Sequence, residues 1–366
     1  MKALGIILAG GNSKRMKELT QKRAIAAMPV AGSFRAIDFA LSNMSHSQIG
    51  TVAVHAQYSS RSLSVHLNSS KWWDFGRKQG GLFLFNPTIT PANNNWYRGT
   101  ADAIAQNLDF LYQRHEPYVV ITSGDGIYKM DYNDAIAFHT ETEADITVVC
   151  KDMTGAVDVS RFGVVRTDEE GRILDFEEKP IATELNTVSC GVYIIRRRLL
   201  ISLMEQCKEM EWYDFVRDVL IRQKNVKKIM AYRMDSYWNN ISTVKAYYDV
   251  NMEFLKPEMQ KHFFRDYPAV QTKVDDYAPA KFNPGSQVTN SLVANGAILN
   301  GEVQNSILGS KVFVGKNCSV KNSIVLTDAY ISDSVVLENC IVESRVNIPE
   351  GAVYRGTPEA PCVVSK

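Results

Sequence analysis

The chain has 366 residues, 45% of them hydrophobic and 22% charged, with a formal net charge of +1. That length predicts two domains, and the near-neutral balance excludes a nucleic acid or an anionic membrane surface as the main partner. No apolar run reaches membrane-spanning length, and Met1-Lys2 leads straight into a strand pattern. Neither a transmembrane segment nor a signal peptide is expected, and a cytoplasmic protein is.

The first element is Ile6-Ile7-Leu8-Ala9, a buried parallel strand by composition, which ends in Gly10-Gly11-Asn12-Ser13-Lys14-Arg15. Two glycines allow a sharp turn, and such a loop followed by a helix can wrap phosphate oxygens beside Lys14 and Arg15. A plain strand-to-helix turn fits a lone Gly-Gly equally well. Further along, residues 34–43 read as an amphipathic helix, Thr51 to Ala56 as a strand ending in Gln57-Tyr58, and Ser60 to Leu67 as a helix. Residues 68–97 show no clear period and read as a long loop. Gly99-Thr100-Ala101-Asp102 opens a helix to about Tyr112, with Thr100 as a candidate cap.

Tyr118 to Thr122 is a buried strand whose carboxyl end carries Ser123-Gly124-Asp125, the place where open α/β sheets bind ligands. Strands follow at Asp145 to Cys150, Phe162 to Val165, from Ile173, and at Val188 to Ile195, with a helix from Arg198 to Met210. The alternation predicts an α/β fold with a mostly parallel, doubly wound sheet over residues 1–255. Prolines 257, 268, 279 and 284 mark a linker over 256–285.

Residues 286–366 change character. Asn290-Ser291, Asn305-Ser306, Asn322-Ser323 and Asn339-Cys340 each open a variant of one unit. Apolar residues recur every sixth position at Val312, Cys318 and Ile324, then at Ala329, Val335 and Ile341 after a one-residue slip. Period six predicts a small hexapeptide β-helix. The cysteines (150, 190, 207, 318, 340, 362) are scattered and read as reduced thiols, and the dispersed histidines do not make a zinc site.

Taken together, several motifs resemble one family. They are the glycine loop ending in Arg15, Lys22-Arg23-Ala24, Phe34-Arg35 with Asp38 to Asn43, and Trp96 to Asp102. Gly124-Asp125 with Ile127-Tyr128-Lys129, and Phe176-Glu177-Glu178-Lys179-Pro180, complete the set. The chain is similar along nearly its whole length to ADP-glucose pyrophosphorylase (glucose-1-phosphate adenylyltransferase), including a C-terminal left-handed β-helix. The resemblance implies that ATP and glucose 1-phosphate give ADP-glucose and pyrophosphate, with Mg²⁺, by positioning and charge neutralisation. It implies that Gly10, Gly11 and Arg15 cradle the triphosphate, and that Gln57, Gly99 and Thr100 border the base. Asp125 would hold the metal, and Gly163, Glu178, Lys179 and Ser189 would take the glucose phosphate.

This sequence departs from the catalytic pattern at the chemistry. The Gly-x-Gly-Thr-Arg loop reads Gly11-Asn12-Ser13-Lys14-Arg15, Lys-Pro reads Ile25-Ala26, and Gly-Asp-His reads Gly124-Asp125-Gly126. Tyr-Trp-Arg-Asp-Val-Gly-Thr reads Tyr237-Trp238-Asn239-Asn240-Ile241-Ser242-Thr243, so the second metal acid becomes Asn240. Hard Mg²⁺ depends on carboxylate charge, which makes its binding here doubtful. The pattern resembles the GlgD-type subunit, a catalytically degenerate partner of a GlgC-type catalytic paralogue in glycogen synthesis. That implies a heterotetramer or homo-oligomer, with ATP, ADP-glucose, glucose 1-phosphate and anionic metabolites as ligands. Arg196-Arg197-Arg198 is a modest effector candidate. An active enzyme that uses Lys14 or Lys22 instead, and a sugar-phosphate-sensing subunit, are the alternatives. No histidine follows His262, which argues against an acyltransferase in the coils.

Overall fold

The computed structural model describes residues 2–11, 14–76, 80–90, 93–153 and 158–365. Ser13, one of the departures above, lies outside the described residues together with Asn12. The chain divides into two compact units, each assembled from separate segments. One comprises Met1–Gly11, Phe39–Ser60 and Leu67–Asn239, the other Asn12–Asp38, Arg61–His66 and Asn240–Lys366.

The strands of the first half are β1 (Ala3–Leu8), β2 (Pro29–Val30), β3 (Phe34–Arg35), β4 (Thr51–His55), β5 (Gly81–Phe85), β6 (Tyr118–Ser123), β7 (Gly126–Tyr128), β8 (Ile146–Asp152), β9 (Gly163–Thr167), β10 (Ile173–Glu178), β11 (Thr187–Arg196) and β12 (Ile229–Arg233). A nine-stranded sheet runs β10-β9-β11-β6-β1-β4-β5, with β8 branching from β11 and β12 pairing with β8. Seen from β1, all strands but β10 and β11 point the same way, because β11 pairs antiparallel with β6, β8 and β9. The chain goes from β1 to β4 and β5 on one side, then returns to β6 on the other. This reversal opens a crevice at the carboxyl ends of β1 and β6. The apolar runs fill the core under the sheet: Ile6, Val119, Ile121, Val148 and Ile195 pack with Leu108, Leu203 and Met204 from the helices.

Two expectations needed correction. β5 lies within the span read as loop and pairs in parallel with β4 from Gly81↔Thr51 to Phe85↔His55. The helix expected over 99–112 is two, α3 (Thr100–Ala105) and α4 (Leu108–Tyr112), separated at Asn107, whose Nδ2 donates to the Ala103 carbonyl at 2.8 Å. No helix among the described residues is long and apolar enough to cross a membrane.

The second unit holds the coils. After short helical segments at Pro257–Gln260 and Lys261–Arg265, three five-stranded parallel sheets stack side by side, with one strand of each per coil. This is a hexapeptide β-helix. The six-residue rows face inward, and Val312, Cys318, Ile324, Ala329, Val335 and Ile341 are all buried. Neighbouring rungs lie 15 or 17 residues apart, except the last pair, Cys340–Val342 with Cys362–Val364, which are 22 apart. Three six-residue sides less one give 17, which accounts for the slip. The repeated asparagines sit at corners with left-handed backbone, φ 42° to 50° at Asn290, Asn305, Asn322 and Asn339, a conformation asparagine tolerates. The serine after each corner stitches the coils: Ser306 N–H donates to Ser291 Oγ and Ser323 N–H to Ser306 Oγ, both at 3.1 Å.

Candidate functional site

Three neighbouring strands of the first unit end in the loops singled out from sequence. The Ala9 N–H donates to the His55 carbonyl at 2.8 Å and the Gly124 N–H to the Leu8 carbonyl at 3.0 Å. Gly10, Gln57 and Asp125 are thereby held at the ends of β1, β4 and β6, and a Cβ on Gly10 would stand 3.5 Å from the Gln57 side chain.

Gln57 is fully used by the protein. Its Nε2 donates to the Tyr97 carbonyl at 3.1 Å, and its Oε1 accepts the Tyr97 N–H at 2.6 Å. This clamp positions the 96–100 segment. Gly99 lies so close to the next layer that a Cβ would fall 2.3 Å from the Tyr213 carbonyl oxygen. That same oxygen accepts the Ala101 and Asp102 N–H groups at 2.8 and 3.1 Å. Thr100 is therefore not the cap. Gly99 is, and the Thr100 hydroxyl accepts the Phe215 N–H at 2.8 Å. Arg98 lies over the Tyr213 ring at 3.9 Å, donates to its hydroxyl at 2.7 Å, and is bonded to Asp102. Tyr97, part of the Trp96–Asp102 motif but given no role there, and Tyr213, not singled out in sequence, are the anchors of this segment.

Asp125 is half-buried, and the Ser123 hydroxyl donates to its Oδ1. Burial pushes its carboxyl above the usual carboxylate range, opposed by the Ser123 bond and by the charge of Lys179. Lys179 in turn pairs with Glu178 at 3.0 Å, and its N–H donates to the Phe162 carbonyl. Glu178 is the register partner of Gly163, where a Cβ would meet the Phe176 ring at 2.6 Å and Glu178 Oε2 at 3.0 Å. On β11, Ser189 sits at a bulge and hydrogen-bonds Tyr193, whose phenol is pushed up by burial. Asp125 thus follows β6, Gly163 opens β9, Glu178 ends β10 with Lys179 just beyond it, and Ser189 lies on β11; Asp125, Lys179, Glu178 and Gly163 are linked in turn. Sequence reasoning passed over the Trp238 indole, which is buried against Phe162 with its Nε1–H unpartnered among the described residues. Its signal was the Tyr237–Thr243 motif, read for its asparagines alone.

The remaining candidates belong to the second unit. Arg15 is exposed on a 3-10 segment, Lys14–Thr20, broken at Lys17 (φ 48°). The α-helix expected behind the glycine loop is absent there among the described residues, so no helix dipole adds to Lys14 and Arg15. Ile25 is 6% exposed in a short turn, Ile25–Ala27, whose neighbours Ala24 and Met28 are buried as well. Arg23 forms a largely buried ion pair with Glu343. Asp38 is fully buried, accepting from the Arg35 N–H and the Thr272 hydroxyl and lying 2.6 Å from His66 Nε2. The Asn240 Oδ1 accepts the Ser242 hydroxyl at 3.0 Å.

Of the two carboxylates that the family resemblance implies for Mg²⁺, the chain supplies one, and among the described residues no group of three or more acids, histidines or cysteines converges on one point. The one carboxylate in the expected place, Asp125, is bonded to Ser123 and shares its surroundings with a lysine. The second expected carboxylate is a neutral amide already accepting a hydroxyl.

Comparison with known proteins adds to this geometry. Residues 4–257 match the nucleotidyl transferase family, and residues 278–357 match the GlmU-like, C-terminal hexapeptide family. The chain is 37% identical over 293 residues to a glucose-1-phosphate adenylyltransferase of Thermotoga maritima, covering 79% of this chain and 69% of that one. It is 38% identical over 290 residues to that of Thermomicrobium roseum, covering 78% and 68%, and 36% identical over 292 residues to that of Mycoplasma mobile, covering 79% and 76%.

Proposed function

Because the chain belongs to the glucose-1-phosphate adenylyltransferase family of nucleotidyl transferases, we propose that it is a GlgD-type subunit, degenerate in catalysis, that tunes a catalytic GlgC-type paralogue. The observation that carries this reading is Ile25. At the place where catalytic members carry a phosphate-neutralising lysine, a hydrocarbon is packed in a buried turn with Ala24, Ala26 and Met28. Transfer of an adenylyl group spreads negative charge over the phosphates, and catalysis is mainly the placement of cations against it. Losing such a group costs roughly 10²–10³ in rate. Asn240 removes charge from the metal side as well.

What remains suits ligand binding without turnover. The Glu178–Lys179 pair beside Gly163 offers a carboxylate and an ammonium suited to the hydroxyls and phosphate of a hexose phosphate. Binding of glucose 1-phosphate by these residues is a second role, sensing, for the same subunit.

The test is ADP-glucose formation from ATP, glucose 1-phosphate and Mg²⁺, by this chain alone and by its mixture with a catalytic paralogue. We expect a rate near background alone, and a raised rate or a changed effector response in the mixture. Ordinary turnover by the chain alone overturns the proposal in favour of an active enzyme. An unchanged mixture that still binds glucose 1-phosphate leaves sensing as the role.

A further inference from the structure

The serine rungs of the β-helix end in thiols. Ser291, Ser306 and Ser323 occupy successive coils, and Cys340 takes the next rung, its N–H donating to Ser323 Oγ at 3.1 Å. Its thiol points to the carbonyl oxygens of Glu338 at 3.2 Å and Tyr354 at 3.4 Å. The strand after it, Cys362–Val364, pairs in parallel with Cys340–Val342 and places Cys362 in register with Cys340. Neighbours in such a register stand about 4.8 Å apart, within the roughly 4.4–6.8 Å between α-carbons that a disulfide spans. The two thiols are also within hydrogen-bonding reach of each other. Both are free; Cys340 is buried, whereas Cys362 is half-buried against the same core. Cys150, Cys190, Cys207 and Cys318 are all buried.

We propose that Cys340 and Cys362 are a reversible dithiol–disulfide pair that fastens the C-terminal strand to the preceding coil, with a small-molecule disulfide as oxidant. The half-buried Cys362 loses its proton and its sulfur attacks the small disulfide, expelling one small thiolate, which takes up that proton. The Cys340 sulfur then attacks the Cys362 sulfur of the mixed disulfide. The second small thiolate leaves with the Cys340 proton. Two electrons pass from the pair to the oxidant, which ends as two thiols. Burial holds the Cys340 thiol up at about 12, so Cys362 reacts first and Cys340 resolves.

The fastened strand matters to its neighbours. Val364 packs into the coil interior, and its carbonyl accepts the N–H of Glu343, the partner of Arg23. The inference is independent of whether the subunit turns over substrate.

The experiment treats the full chain with oxidised glutathione under native conditions, followed by acid quench, alkylation and peptide mapping. Hydrogen exchange is followed on the same samples. We expect a peptide linked through Cys340 and Cys362, released by dithiothreitol, and exchange at Val363 and Val364 slowed about tenfold or more. In Cys340→Ser, which extends the hydroxyl rungs by one, the reaction should stop at a glutathione adduct on Cys362. A stable adduct on Cys362 in the unaltered chain overturns the proposal. So does a link to another cysteine, or full alkylation of both thiols after exposure to the oxidant.

Discussion

Asparagine keeps the outline of aspartate and drops its charge, and on the proposed reading Asn240 makes that exchange where the family's catalytic pattern has a metal-binding acid. Ile25 makes a larger one, hydrocarbon for ammonium, inside a turn already closed to water. Asn240→Asp alone should change little, because the cation is still missing. Combined with Ile25→Lys it should raise ADP-glucose formation at least about tenfold above the chain's own background, read in a coupled pyrophosphate assay. No gain in the double variant, with unchanged circular dichroism, would place the defect elsewhere. Gly99 is the most constrained position of the site, because a Cβ there falls 2.3 Å from the Tyr213 carbonyl. Gly99→Ala should destabilise the first unit by about 1–3 kcal/mol, measured as a lower urea midpoint. One placement was legible in the sequence: Asp125 stands just past the carboxyl end of β6, as expected. The side-chain partners were not. Nothing in a linear pattern says that both ends of the Gln57 amide are spent on the Tyr97 backbone, because that pairing joins loops remote in sequence.

Among elements, the coils were the most legible, since period six, the one-residue slip and the asparagine corners all derive from one repeated geometry. The strand Gly81–Phe85 was the least. Leu82-Phe83-Leu84-Phe85 is an apolar run without alternation, and four residues inside an otherwise aperiodic span are too short to fix a strand by period. The break between α3 and α4 escaped for a similar reason, as a single asparagine side chain bonded to the helix backbone leaves no periodic trace. The serine ladder makes a sharper prediction. Ser323 is fully buried, accepts the Cys340 N–H and donates to the Lys321 carbonyl. Ser323→Ala removes the acceptor of the Cys340 N–H, while the Lys321 carbonyl keeps the Asn339 N–H, and should cost about 1–3 kcal/mol, seen in denaturant unfolding of the coils. The pair between Arg23 and Glu343 is a second such dependence. Arg23→Ala leaves a carboxylate nearly buried and unpaired, at a cost of about 3–5 kcal/mol, whereas Arg23→Met with Glu343→Leu should recover most of that loss.

For the whole molecule, acid is the informative variable. Burial lowers His55 and His139 to about 4 from the ordinary 6.5. The unfolded chain therefore takes up protons below pH 6.5 that the folded chain refuses until about 4. Their contribution is complete above 6.5 and is lost as pH falls through that window, by up to roughly 3 kcal/mol per histidine. Urea midpoints should fall between pH 6.5 and 4, and His139→Phe should flatten part of that slope. A slope unchanged in the variant would assign the acid sensitivity to other groups. The stitched coils also govern how the gene can change. Within a rung such as Ser319–Lys321, one face is core and the other is not, so loss of a single codon turns the rung inside out. Duplicating or deleting a whole coil keeps every later rung facing inward, and inserting codons at a corner such as Thr357–Pro361 leaves the register untouched. Length in this half of the chain is thus inherited in discrete steps, and a three-base deletion inside a rung, harmless to the reading frame, is among the worst lesions the gene can carry.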